Sequence, residues 1–183
     1  LGTRENESKT AELRSIDDMA NVSSVIQKEQ HGLGHAILIA KDKIGDEPFA
    51  VFLPDDIIWA ERPTIGFMIE QFLNFGTNVI AVKEVRDSDI PMLGIVSGQP
   101  VSNCEYVVSE MVEKPKLEEA PSNLAIIGRY VLSPEIFDIL TDIDPGALGE
   151  IQLTDAIRKM IVTRGVRAYK FPGRHFDVGT PSG

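Results

Sequence analysis

An α/β domain with a mixed, mostly parallel central sheet flanked by helices is the fold class this sequence predicts, on three observations. Short unbroken apolar runs recur, residues between them fall at helical spacing, and the two patterns alternate along the chain. The most telling run is Phe49 to Asp56, Phe-Ala-Val-Phe-Leu-Pro-Asp-Asp, which ends abruptly in two acids. An apolar run bounded by Pro reads as a strand buried on both faces inside a sheet covered by helices. In open α/β sheets ligands bind beyond the carboxyl ends of the strands, so Asp55 and Asp56 sit where a hard cation or a ribose would be held. An acid after a buried strand is more often a turn residue or a helix N-cap, and that reading stands beside the functional one.

The elements follow in order. Leu1-Gly2-Thr3-Arg4 opens without an initiator Met and breaks into the polar run Glu5 to Lys9, so the chain is expected to be part of a longer one. Leu13 and Ile16 predict a helix over Ala11 to Met19, and Val22, Val25 and Ile26 predict a strand over Val22 to Gln27. His31-Gly32-Leu33-Gly34-His35 is a Gly-rich turn feeding a helix at Ala36 to Ala40. Such a turn brings free backbone N–H groups close to a ligand, although two glycines at this spacing are a weak signal. Ile65, Met68, Ile69, Phe72 and Leu73 follow the helical template, with Gly76 as C-cap. Asn78 to Val85, Leu93 to Val96, Tyr106 to Glu113 and Leu124 to Leu132 predict strands. Ser133-Pro134 predicts the capped start of a short helix carrying Ile136, Ile139 and Leu140. A last helix holds Leu153, Ala156, Ile157, Met160 and Ile161 and stops near Gly165, after which Ala168 to Phe171 leads to His175-Phe176-Asp177-Val178-Gly179.

The 183 residues are 43% hydrophobic and 25% charged, enough for one domain with a core. Eighteen basic against 28 acidic residues give a charge of -10 with no basic cluster, which argues against nucleic acid and anionic membranes as partners. The single Cys104 excludes an internal disulfide and a thiolate-rich zinc site, and no apolar run is long enough to span a bilayer. A cytoplasmic protein is expected. His31 and His35 have the i, i+4 spacing of a helical zinc pair, but Gly32 and Gly34 disfavour helix between them and no Glu follows the first His. There is no Gly-x-Ser-x-Gly elbow, Walker loop or dinucleotide fingerprint. Glu113-Lys114-Pro115 closes an apolar strand with opposite charges side by side. Adjacent strand residues point to opposite faces, so the two are not expected to pair with each other. A carboxylate there can accept from sugar hydroxyls and an ammonium can neutralise a phosphate, whereas the plainer reading is a solvated strand end.

Several stretches together resemble the sugar nucleotidyltransferase family, in the branch whose bacterial members use UTP and glucose 1-phosphate. They are Leu1-Gly2-Thr3-Arg4, Gln27 with Gly32-Leu33-Gly34-His35-Ala36, Leu53-Pro54-Asp55, Val112-Glu113-Lys114-Pro115-Lys116, Pro121 to Ile126 with Gly128-Arg129-Tyr130, Gly149 to Ile157, and Asp177-Val178-Gly179. Their order and spacing cover nearly the whole chain. The resemblance implies a Rossmann-like fold and a reaction in which glucose 1-phosphate attacks the α-phosphorus of UTP, giving UDP-glucose and pyrophosphate. It implies that Gly2, Thr3 and Arg4 end a loop around the triphosphate, with Arg4 near the reacting phosphates. Gln27 and the backbone of Gly32 would read uracil. Asp55 and Asp177 would hold Mg²⁺, Glu113 and the backbone at Gly94 would contact sugar hydroxyls, and Lys114 would face the sugar phosphate. A homodimer or homotetramer is implied as well. A relative that uses dTTP and a non-catalytic sugar-nucleotide sensor are the alternatives.

The chain departs from the family pattern in places. Arg4 is followed by Glu5-Asn6-Glu7 and not by the family's proline and phosphate-binding lysine. Residues 1–183 are therefore expected to be one nucleotidyltransferase domain without its N-terminal strand, part of the nucleotide-binding half and the C-terminal helices.

Overall fold

A computed structural model describes residues 19–146 and 149–179. The Leu1 to Arg4 motif and all but the last residue of the helix predicted from Ala11 lie outside them. Two helices come first, α1 (Leu33–Leu38) and α2 (Lys41–Ile44), followed by β1 (Phe49–Phe52), β2 (Asp56–Trp59), α3 (Thr64–Phe75) and β3 (Asn78–Glu84). Next come β4 (Gly94–Pro100), β5 (Glu105–Glu113), β6 (Leu124–Leu132), α4 (Ile136–Asp142), α5 (Leu153–Thr163), β7 (Val166–Lys170) and β8 (Arg174–Asp177).

Six strands form one mixed sheet in the order β1-β6-β3-β7-β5-β4, and the start of β4 returns to pair with the start of β6. The strands β2 and β8 form a separate two-stranded ribbon. The sheet is mixed and flanked by helices, as expected, but among the described strands only β3 and β7 pair in parallel. The expected majority of parallel pairs is not found there. The reason lies in the connections. A parallel neighbour needs a long crossover, usually a helix, whereas the short link from β4 to β5 favours antiparallel partners.

The strand buried on both faces is β3, whose Val79, Ile80, Ala81 and Val82 are all fully enclosed. Its side chains alternate between two cores. Ile80 and Val82 meet Phe137, Leu140, Ile157 and Met160 from α4 and α5, while Val79 and Ala81 meet Met68 and Phe72 from α3. Two corrections follow. The run Phe49 to Asp56 is not one strand buried on both faces: it breaks at Leu53 into β1 and β2, and β1 alternates half-buried with exposed because it lies at the edge of the described sheet. Residues Val22 to Gln27 form no strand, since they find no pairing partner among the described residues and leave Val22 and Ile26 in solvent.

The helix α3 ends as predicted, with Gly76 in the left-handed region at φ 65°. Its buried ridge runs Thr64-Met68-Phe72, and Phe67 stacks on Tyr169 at 4.1 Å. Ile69 and Leu73 therefore fall at the margin of the stripe, and Leu73 is largely exposed. Ser133-Pro134 precedes α4 as a turn, with Pro134 accepting from Phe137 N–H at 3.0 Å, so the helix begins later than the capping signal suggests. Among the described residues no helix is long and apolar enough to cross a membrane, and Cys104 is a free thiol.

One buried polar side chain ties the layers together. The Asn78 carboxamide, fully buried at the start of β3, accepts from the Ser133 N–H at 2.8 Å just past β6. Replacing it strands that N–H in the core, which costs on the order of 1–3 kcal/mol. Asn78→Ala is expected to lower the urea unfolding free energy by about that amount; a wild-type midpoint would show that the Ser133 N–H has another partner.

Candidate active site

The turn after β1 carries the first acid of the site. Leu53 N–H donates to the Gly128 carbonyl at 2.9 Å, and Asp56 then opens β2, where it lies directly opposite Asp177 of β8. Val178 N–H donates to the Asp55 carbonyl at 2.8 Å, and Gly179 N–H donates to Asp177 Oδ1 at 2.9 Å. A Cβ placed on Gly179 would lie 3.1 Å from both Asp177 Oδ1 and Asp55 Oδ2, so those oxygens are no more than twice that distance apart. Two exposed carboxylates, one from the turn before β2 and one from the end of β8, thus converge on a residue with no side chain to obstruct them. Among the described residues no cluster of three His, Cys, Asp or Glu could hold a metal ion. A pair of carboxylates nonetheless suits Mg²⁺, which takes one or two from protein and completes its octahedron with phosphate oxygens and water.

Asp56 faces elsewhere. Its Oδ1 meets His175 Nε2 at 2.5 Å, its Oδ2 accepts from Gly128 N–H at 2.9 Å, and its carbonyl accepts from the Arg129 guanidinium. Arg129 also donates to the carbonyls of Leu53 at 2.9 Å and Gly128 at 2.8 Å. Burial pushes the Asp56 carboxyl up, but the His175 and Gly128 hydrogen bonds and the charges of His175 and Arg129 outweigh it and hold it below the usual value. Of the two acids at the end of the apolar run, Asp55 alone is exposed.

Gly94, at the start of β4, stands opposite Glu113 at the end of β5. A Cβ on Gly94 would lie 3.0 Å from Glu113 Oε2 and 3.1 Å from Thr154 Oγ1. Lys114 is the one non-glycine residue with positive φ, at 46°, among the described residues. That turn corrects the expected separation of the two charges. Strand alternation ends at Glu113, and the Lys114 ammonium swings back to 3.9 Å from Glu113 Oε1. The buried Tyr130 phenol on β6 is held far above its ordinary pKa by burial, with the charges of Glu113 and Asp56 adding to the effect. One buried ring thus feels both the Glu113 and the Asp56 ends of the site.

Gln27 and Gly32 also come together. Gln27 Nε2 donates to the Gly32 carbonyl at 3.2 Å and lies 3.0 Å from His35 Nδ1. Gly32 has φ 91°, where a side chain would be strained and would also meet Glu150 Cβ at 2.9 Å. Gly34 N–H donates to the Ile151 carbonyl at 2.9 Å, and Ile151 N–H donates back to the His31 carbonyl at 2.8 Å. The glycines of this turn therefore serve a close backbone approach to residues 150–151. His31 lies outside the helix that holds His35 and binds Glu29 at 2.8 Å, in line with the rejection of a helical zinc pair. The positions Gly2, Thr3 and Arg4 lie outside the described residues.

Three residues near the site had no role in the sequence reading: Thr154, Arg129 and His175. Each stands within or beside a stretch that carries the resemblance, but their part is set by contacts between segments far apart in sequence.

A profile described as Nucleotidyl transferase matches residues 2–183. The chain belongs to the nucleotidyl transferase family. It is 48% identical over 182 residues to a UTP–glucose-1-phosphate uridylyltransferase of Staphylococcus epidermidis, an alignment covering 98% of this chain and 63% of that protein. It is 50% identical over 166 residues to UTP–glucose-1-phosphate uridylyltransferase 2 of Staphylococcus saprophyticus, covering 91% and 57%. The chain thus spans about three fifths of the curated relatives it matches. Among solved structures it is similar to UDP-glucose pyrophosphorylase complexed with UDP-glucose, with TM-score 0.92 and 38% identity over 100% of this chain and 70% of that one. It is also similar to a UTP-bound UGPase from Acinetobacter baumannii, with TM-score 0.82 and 35% identity over 98% and 64%.

The backbone of this nucleotidyl transferase at Lys114 lends itself to a direct test. A left-handed L-residue costs roughly 1–2 kcal/mol, which glycine avoids at an unfolded-state cost of about 0.4–1 kcal/mol. Lys114→Gly is expected to unfold at the same denaturant concentration as Lys114→Ala or higher; a clearly lower midpoint would contradict the positive φ.

Proposed function

We propose that the protein transfers the uridylyl group of UTP to glucose 1-phosphate, releasing pyrophosphate and forming UDP-glucose, with Mg²⁺ as cofactor. The observation that carries this reading is the convergence on Gly179 of Asp55, from the turn before β2, and Asp177, from the end of β8. The similarity to uridylyltransferases along nearly the whole chain supports the choice of nucleotide and sugar. Unpaired Cys104 and the absence of a spanning helix among the described residues are compatible with the cytoplasm as its place of action.

In this reading Gln27 and the backbone of Gly32 face the uracil, and Gly2, Thr3 and Arg4 enclose the triphosphate. The Gly94 backbone and the Glu113 carboxylate take the sugar hydroxyls. Lys114 neutralises the sugar phosphate, and its pairing with Glu113 at 3.9 Å keeps the ammonium poised beside the sugar site. Asp55 and Asp177 would hold the magnesium ion, which when bound supplies charge neutralisation on the phosphates. A sugar phosphate is already an anionic nucleophile at neutral pH, so these residues need provide neither a general base nor a covalent intermediate. Their work is alignment and charge neutralisation.

The test is pyrophosphate release by the full-length protein that carries this chain, given Mg²⁺, glucose 1-phosphate, and UTP, dTTP, ATP or GTP in turn. Release mainly with UTP is expected. Preference for dTTP would move the protein to a sister activity, and UDP-glucose binding with no release would make it a sensor. Asp55→Asn and Asp177→Asn are each expected to lower kcat by more than roughly 100-fold, with melting temperatures near that of the wild type. Undiminished turnover in either variant removes that residue from the metal site.

A further inference from the structure

We propose that Asp56 and His175 are a positioning pair that sets the spacing of Asp55 and Asp177, an inference that rests on reading those two carboxylates as a metal site. The ribbon β2–β8 is only four residues long on each strand and stands apart from the six-stranded sheet. A two-stranded ribbon has little stability of its own. Yet Asp55 immediately precedes one of its strands and Asp177 ends the other, so a small slip between them would separate the pair. Asp56 lies opposite Asp177 and Ile58 opposite His175, which puts Asp56 and His175 diagonally on one face. Their side chains meet at 2.5 Å and are only 18% and 12% exposed.

The same Asp56 carboxylate also accepts from the Gly128 N–H at 2.9 Å in the middle of β6. One side chain therefore locks the register of the ribbon and fastens it to the main sheet. Asp55 is the residue before Asp56 and Asp177 is two residues after His175, so the two carboxylates cannot shift past each other while the lock holds. Asp56 and His175 touch no substrate in this arrangement; they act through the backbone of their neighbours.

The test uses the full-length protein and Mn²⁺ alone as the probe, with its binding followed by electron paramagnetic resonance. Asp55→Asn and Asp177→Asn report on the metal site itself and are expected to lose Mn²⁺. His175→Phe fills the imidazole's space without a donor to Asp56, and is expected to weaken Mn²⁺ binding by roughly tenfold. In the metal-free protein it is also expected to speed amide exchange at Val178, whose N–H bonds Asp55. His175→Gln, whose amide can donate to Asp56, is expected to restore both; His175→Ala serves if the phenylalanine variant does not fold. Loss of Mn²⁺ in the aspartate variants alongside wild-type affinity and exchange in His175→Phe would overturn the positioning role and leave the metal site standing. Unchanged Mn²⁺ binding in both aspartate variants would overturn the metal reading, and the positioning role with it.

Discussion

At Gly128 the backbone of β6 has to admit a second backbone and a carboxylate, and the site depends on that close approach. A Cβ at this position would come within 2.5 Å of Leu53 Cβ and would collide with the Asp56 carboxylate as well. Without a side chain, β6 can receive the Asp56 oxygen on its N–H and offer its carbonyl to Leu53 N–H. Arg129 next door then ties the carbonyls of Leu53, Gly128 and Asp56 together. One glycine and one guanidinium turn an apolar strand end into a rigid corner.

The rest of the chain supports that corner from a distance. The β6 strand runs antiparallel to β1 on one edge and β3 on the other, and β3 is gripped from both sides by α3 and by α4 with α5. The hydrophobic effect holds the sheet between its helices, and that in turn fixes where strand ends emerge. At the far end of β6 the start of β4 closes against it, which brings Gly94 beside Ile126 and sets Glu113 and Thr154 around the same small space. The cores thus position residues that they do not themselves contain.

What the sequence disclosed was mostly local. Helix α3 and its glycine cap, α5, and the strands β3, β5 and β6 were legible because each carries its own periodicity or apolar run. The break between β1 and β2 was not, because the turn at Leu53 to Asp55 is set by Gly128 and Arg129, more than seventy residues away in sequence. For the same reason the apolar run by itself left Asp55 and Asp56 indistinguishable; the resemblance singled out Asp55, and the contacts of Asp56 with His175 and Gly128 give the physical reason why the two acids differ. Lys114 shows the limit of strand alternation as a rule: it fails one residue past the strand, where φ changes sign. The strand predicted at Val22 to Gln27 had apolar residues but no neighbour to pair with among the described residues, and periodicity alone carries no information about that.

The two backbone hydrogen bonds between residues 31–34 and Ile151 join regions that would otherwise be separate. The turn that holds Gln27 against Gly32 is laced to the segment leading into α5, and Thr154, two residues into that helix, sits at Gly94. The Gln27–Gly32 turn and the Gly94–Glu113 corner are therefore parts of one stitched frame. A strain applied at one end is carried along a few residues of main chain to the other.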